Sequence, residues 1–286
     1  MSKYNHIHSI PIESIPKEEI AIAIKEWAEG DEAMERLLWA CYENGVKTDG
    51  CHTGMCPYLG LKYTGSNDKV IKLLAACINL EESQIFISPD GGNPISGEDW
   101  YITNIGIGFE TESIEKSGKN LDTLSSALNN DTSLKEAELI SLLLKLSDFL
   151  VDKESALKLR FNYSENKYSF SIECTPVNEE VSIYFDKLFK EANFFEAENP
   201  VKESKRRFWK IESDNLDDMI NKLRESINYI INNYSLEPPT REEDITDLHQ
   251  LARFKRKEFG NDVDSYERFV AWYEQKQEEM FSSYKK

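Results

Sequence analysis

The sequence predicts an α+β protein: two tandem α/β sandwiches with mainly antiparallel sheets, followed by a C-terminal helical pair. Three observations carry this reading. Apolar residues recur at helical spacing in several separate segments, strict period-two alternation marks a hairpin near 157–174, and twelve of the 13 glycines lie at or before Gly118. Because glycine marks left-handed turns, bulges and close backbone approaches, the first part is expected to be rich in tight loops and the second in long helices and simple hairpins.

In the first part, Met34, Leu37, Leu38, Cys41 and Tyr42 fall on one helical face, after a cap at Asp31 and before the stop Asn44-Gly45. Short strands follow at Thr48–Gly54 and Tyr58–Tyr63, then a helix bearing Val70, Ile71, Leu74, Cys77 and Ile78. Gln84–Ser88 and Trp100–Phe109 read as strands, the second alternating Ile105, Ile107 and Phe109 with Gly106 and Gly108. A Ser/Asn-rich stretch, Leu124 to Ser133, marks the boundary.

The second part opens with a helix carrying Leu139, Leu142, Leu143, Leu146 and Leu150. In the hairpin after it, Leu157, Leu159, Phe161 and Tyr163 alternate with polar residues, and so do Tyr168, Phe170, Ile172 and Cys174, so one face is packed and the other wet. A helix near Glu179–Ala192, a strand near Phe208–Ile211 and a helix near Asn215–Tyr234 complete an order that echoes the first half as an α-β-β-α-β pseudo-repeat. Domains are therefore expected at 1–125, 134–237 and 238–286. In the last, Thr240 and Glu243 form a capping-box pattern and Ser265 opens a final helix. Residues 240–286 either dock on the acidic remainder or join copies of the chain into a homo-oligomer.

Charge narrows the function classes. With 34 Lys+Arg against 52 Asp+Glu in 286 residues the net charge is −18; residues 1–150 hold 12 basic and 24 acidic residues, hence −12. A polyanion is repelled by that field, so direct binding to nucleic acid over a broad phosphate-contacting surface is not expected. No apolar run approaches the roughly 18 to 20 residues that span a bilayer, so no membrane partner is expected. Five cysteines, an odd number spread over the chain, suit a reducing cytoplasm better than a disulfide framework.

Gly45 to Tyr58 concentrates unusual chemistry. Cys51, His52 and Cys56 could serve as metal ligands, with a fourth from Cys41 or from the pair His6 and His8, or Cys51 as a nucleophile with His52 or His6 as base. Neighbours on an extended backbone point to opposite sides, and no second C-x-x-C or H-x-x-x-H half is present, so a glycine-shaped hairpin turn is the simpler account. No cofactor motif is present: the Pro89–Trp100 loop has no Lys-Ser/Thr after its glycines and does not open a helix. Lys202 to Lys210 interleaves five cations with Phe208 and Trp209, a pattern that serves single-stranded nucleic acid, or else a basic strand edge protected from aggregation or paired with the acidic helices.

Acidic residues are spread instead of clustered, decorating the first two helices and a later one near 214–225. Glu29, Asp31, Glu32 and Glu35, with Asp90, Glu98 and Asp99 of the glycine-rich loop, could face a basic groove on a protein partner. Trp27-x-Glu29-Gly30, Leu37-Leu38, Gly45-Val46-x-Thr48-x-x-Cys51-His52-x-Gly54 and Pro57-Tyr58 resemble a segment of uncharacterised proteins carried by phages and mobile elements of Gram-positive bacteria. This chain has Cys51-His52 and Gly54-Met55 where that segment has Cys-Cys and Gly-His. The resemblance implies an accessory protein that binds and blocks host machinery. The expectation is an acidic intracellular inhibitory module, a counter-defence protein directed at a nucleic-acid-handling host complex; the alternative is an enzyme or binder of a small molecule or nucleotide built on Cys51 and His52.

Overall fold

A computed structural model describes residues 16–63, 68–88, 103–130, 134–153, 157–174, 178–197, 206–237 and 263–283, with positions 176, 251 and 255. The antiparallel α+β architecture is present. Eight strands form one sheet: β1 (Thr48–His52), β2 (Tyr58–Tyr63), β3 (Ser83–Ser88), β4 (Thr103–Phe109), β5 (Lys158–Ser164), β6 (Lys167–Cys174), β7 (Phe195–Ala197) and β8 (Arg207–Ser213). Their order is β1-β2-β4-β3-β5-β6-β8-β7, so the first four and last four strands share one pairing order. Instead of two separate sheets, the halves meet edge to edge: β3 pairs with β5 from Ser83↔Tyr163 to Ile87↔Leu159. Each strand would otherwise leave a row of unpaired backbone groups, and the junction satisfies both.

Eight helices occur among the described residues: α1 (Lys17–Trp27), α2 (Glu32–Glu43), α3 (Asp68–Cys77), α4 (Ile114–Ala127), α5 (Leu134–Asp152), α6 (Glu179–Glu191), α7 (Leu216–Asn233) and α8 (Val263–Ser283). Helix neighbours run α1, α2, α4, α3, α5, α7, α6, a layer that follows the strand order and crosses the β3–β5 junction where α3 meets α5. Side-chain caps start several of them: Asp31 on α2, Ser113 on α4, Asn178 on α6 and Asn215 on α7. The β5–β6 hairpin turns on Glu165 and Asn166, both at positive φ (54° and 58°), the backbone of a type I′ turn whose twist matches the strands it joins.

Alternation sorts the sheet into two faces. Leu59, Leu61, Ile85, Ile87, Ile105, Ile107, Leu159, Phe161, Phe170, Ile172, Trp209 and Ile211 are buried under the helices in one apolar cluster that spans both halves. Each such side chain contributes about 1.5–3 kcal/mol on leaving water. The intervening residues Gln84, Phe86, Arg160, Asn162, Ser171, Lys210 and Glu212 are half-exposed on the opposite face. In α8, Phe269 and Tyr273 are buried outside the main cluster. Most of 240–262, and so the first of the expected C-terminal helices, lies outside the described residues.

Candidate interaction surface at the β1–β2 turn

The turn between β1 and β2 joins the acidic corner where α1 meets α2. That corner is tight: Glu29 (φ 48°) and Gly30 (φ 85°) are both left-handed, and Asp31 then caps α2 through Ala33 N–H (2.9 Å) and Met34 N–H (3.0 Å). Asp31 is thus engaged within the fold. Glu29 is exposed and accepts a hydrogen bond from the Thr53 hydroxyl (3.2 Å), tying the corner to the turn. Glu32 is exposed and lies 3.7 Å from Arg36, whose guanidinium donates to Asp122 of α4 at 2.8 and 3.1 Å. Glu35 is half-exposed. Of the acidic residues expected to face a partner, Glu29, Asp31, Glu32 and Glu35 share this corner, whereas Asp90, Glu98 and Asp99 lie outside the described residues.

Backbone hydrogen bonds lock the turn while its side chains project. Around the carbonyl oxygen of Met55 gather the Thr111 N–H (3.4 Å) and the hydroxyls of Thr111 (2.9 Å) and Ser117 (3.2 Å), which are also hydrogen-bonded to each other; the Phe109 N–H donates to the Pro57 carbonyl (3.1 Å). Gly54 (φ 100°) supplies a backbone conformation that other residues seldom adopt. Met55 is 56% exposed, Tyr58 39%, and His52 and Cys56 are exposed beside them. The Tyr58 ring lies over Gly106, where a Cβ would come within 2.3 Å of a ring carbon. Nothing in the spacing of Thr111 and Ser117 along the sequence marks them as anchors.

Cys51 and His52 diverge as neighbours on a strand must. Cys51 turns inward, where its thiol donates to the Trp27 carbonyl (3.2 Å). Burial, and then the nearby Glu29 carboxylate, push that thiol up to about 12, so it is not a thiolate near neutral pH. His52 is exposed on the other side. Cys51, His52 and Cys56 do not converge, and among the described residues no three His, Cys, Asp or Glu side chains are grouped to hold a metal. Cys41, Cys77 and Cys174 are buried.

The basic stretch 202–210 is divided by the sheet. Residues 202–205 lie outside the described residues. β8 is an interior strand, with the short β7 as the edge, which corrects the expectation of a basic edge strand. Arg207 faces the helices, paired with Asp186 of α6 (2.7 Å) and Glu196 of β7 (2.6 Å) and lying 5.4 Å from the Trp209 ring centroid. Pairing with an acidic helix is therefore present, whereas Phe208 and Lys210 occupy the opposite sheet face.

No described helix is long and apolar enough to cross a membrane. Compared with known proteins, the chain matches no family model, no curated protein and no solved structure. Fold and surface together define an antiparallel α+β protein with a helix layer on one sheet face and a hydrogen-bonded, acidic, partly apolar corner at one end.

Proposed function

We propose that this chain is a protein-binding module that inhibits a larger partner by occupying a basic surface on it. The observation that carries the reading is the β1–β2 turn: its backbone is held at the Met55 carbonyl by the Thr111 N–H and the mutually hydrogen-bonded Thr111 and Ser117 hydroxyls, while Met55, Cys56 and His52 project beside exposed Glu29 and Glu32. A preorganised loop loses little conformational freedom on docking, and an exposed methionine beside carboxylates can combine apolar contact with charge steering. Phosphate-binding grooves supply basic surfaces of the required kind, which supports a nucleic-acid-handling host complex as the partner and counter-defence as the role. Immobilised protein is exposed to host lysate at low and high salt, beside Met55→Asp and the double variant Glu29→Lys/Glu32→Lys. Capture that fails at high salt and in both variants is the expected result. Absence of any salt-sensitive partner at micromolar bait overturns the proposal.

A further inference from the structure

Two exposed apolar side chains come together where the β1–β2 turn is tied to α4. The Ser117 hydroxyl lies 3.2 Å from the Met55 carbonyl oxygen, and Ile114 precedes Ser117 by one helical turn, about 5–6 Å at that spacing. Met55 is 56% exposed and Ile114 63%. Between them the hydrogen-bonded Thr111 and Ser117 hydroxyls are buried, so turn and helix are joined beneath the pair.

Charge around the pair is negative. Residues 25–36, 52–58 and 110–119, which make up the corner, the turn and the start of α4, hold eight acidic and four basic residues. Three of those cations are engaged: Arg36 with Asp122, Lys116 with Glu82 and Lys119 with Glu115. Glu29 reaches the turn at Thr53, and exposed Glu110 and Glu112 flank Thr111, which holds Met55. Neither the Glu110 nor the Glu112 carboxylate makes an ion pair or a hydrogen bond among the described residues, although Glu112 acts on the charge of Lys116. Apolar contact framed by such carboxylates complements an element that carries large aliphatic side chains between cationic ones.

Backbone chemistry selects the form of that element. A strand docks by pairing with free backbone groups, but the Met55 and Pro57 carbonyls already accept from Thr111, Ser117 and Phe109, and the outer edge of β1 ends at His52, before the turn. An element that docks here must satisfy its own backbone, as a helix does. We propose that Met55 and Ile114 form the docking site for a cationic amphipathic helix of the partner: its aliphatic residues cover the pair, while Lys or Arg side chains on either flank meet Glu29, Glu110 and Glu112. The proposal rests on the reading that this corner engages a partner, and it specifies the element taken. An unstructured basic segment meets the carboxylates but leaves the apolar pair in water.

Fluorescence anisotropy with labelled synthetic peptides tests the proposal on the full chain. The probe is a leucine–lysine peptide of about eighteen residues, long enough to hold a helix, with leucines at helical spacing. Its controls are the same composition in scrambled order and the same sequence with a central proline. Micromolar binding of the probe is expected, at least about tenfold tighter than of either control. Met55→Asp and Ile114→Asp should each weaken it about fivefold or more, whereas Ile114→Leu, and Ile183→Asp at an exposed isoleucine of α6, should leave it within about twofold. Circular dichroism checks that each variant folds. In the unmodified protein a photoreactive leucine in the probe should crosslink to peptides spanning 53–58 or 110–117, an outcome that depends on no variant. Equal affinity for the scrambled peptide, unchanged affinity in Ile114→Asp, or crosslinks confined to other peptides overturns the proposal. Lysate capture separates this from the broader reading. A salt-sensitive partner lost in Met55→Asp but kept in Ile114→Asp overturns the helix site and leaves the inhibitory role standing; selective binding of the probe with no lysate partner supports the site and overturns that role.

Discussion

Cys51 shows at the residue scale how position decides chemistry. Its thiol points into the fold, donates to the Trp27 carbonyl and is pushed up to about 12. Cys41 and Cys77 are pushed up to about 12 by burial as well. At pH 8 all three are thiols, and exposed Cys56 is the residue open to attack. A thiol reagent at that pH should titrate about one cysteine quickly in native protein, none in Cys56→Ser, and all five after denaturation. The same shifts affect stability. Between the unfolded thiol value of about 8.5 and the folded value, the unfolded chain holds fewer protons than the native one, so stability falls as pH rises through that window. Urea midpoints should therefore drop from pH 8 to pH 10, with a shallower drop in Cys41→Ala. An equal drop in that variant would count against the thiols as the cause.

Gly106 poses a steric question at the same scale, since a Cβ there would come within 2.3 Å of the Tyr58 ring. The ring is partly exposed and can swing outward, so Gly106→Ala should cost about 1 kcal/mol or somewhat more, within the range of overpacking changes. In a Tyr58→Ala background that cost should largely vanish. A double-mutant cycle by denaturant unfolding measures the difference, and additivity would show that ring and glycine are independent.

Among the elements, α2 separates the structural role of an acidic residue from its display to a partner. Asp31 → Ala removes the acceptor for Ala33 and Met34 N–H and should cost about 1 kcal/mol, whereas Asp31→Asn keeps the cap and most of the stability. Partner capture that follows net charge alone should fall in both variants; capture that follows the corner's shape should survive Asp31→Asn. The cap was legible in the sequence because it is local, one Asp just before an apolar helical face. The β5–β6 hairpin was legible for the same reason: its alternation and its turn lie within a single stretch. α4 has no clear sequence signal because, among its side chains, only Ser117, Leu121 and Leu124 are buried, too narrow a stripe to set a period, and its last residues, through Ala127, fall in the Ser/Asn-rich stretch that reads as a boundary. β7 has three residues, too few to show alternation. The convergence of Thr111 and Ser117 on Met55 depends on chain crossings that no local pattern encodes.

For the whole molecule, the junction between β3 and β5 determines how the protein unfolds. The sequence divides near 124–133, and its glycine and charge distributions differ on either side, yet the two strands pair along five positions and α3 packs on α5 above them. One apolar cluster runs through both halves, from Trp27 at one end to Trp209 at the other. Loss of either half exposes an unpaired strand and a cut apolar surface on the other, so the halves should unfold together. Tryptophans provide separate reporters. Replacing Trp27, Trp39, Trp100 and Trp272 by Phe leaves Trp209 in the second half; replacing Trp100, Trp209 and Trp272 leaves Trp27 and Trp39 in the first. In each variant the fluorescence midpoint in urea should coincide with the midpoint of far-ultraviolet circular dichroism. Two separated transitions, with the Trp209 signal moving apart from the helix signal, would show that the continuous sheet joins two independently stable units, and the junction would then be a docking contact instead of part of a shared core.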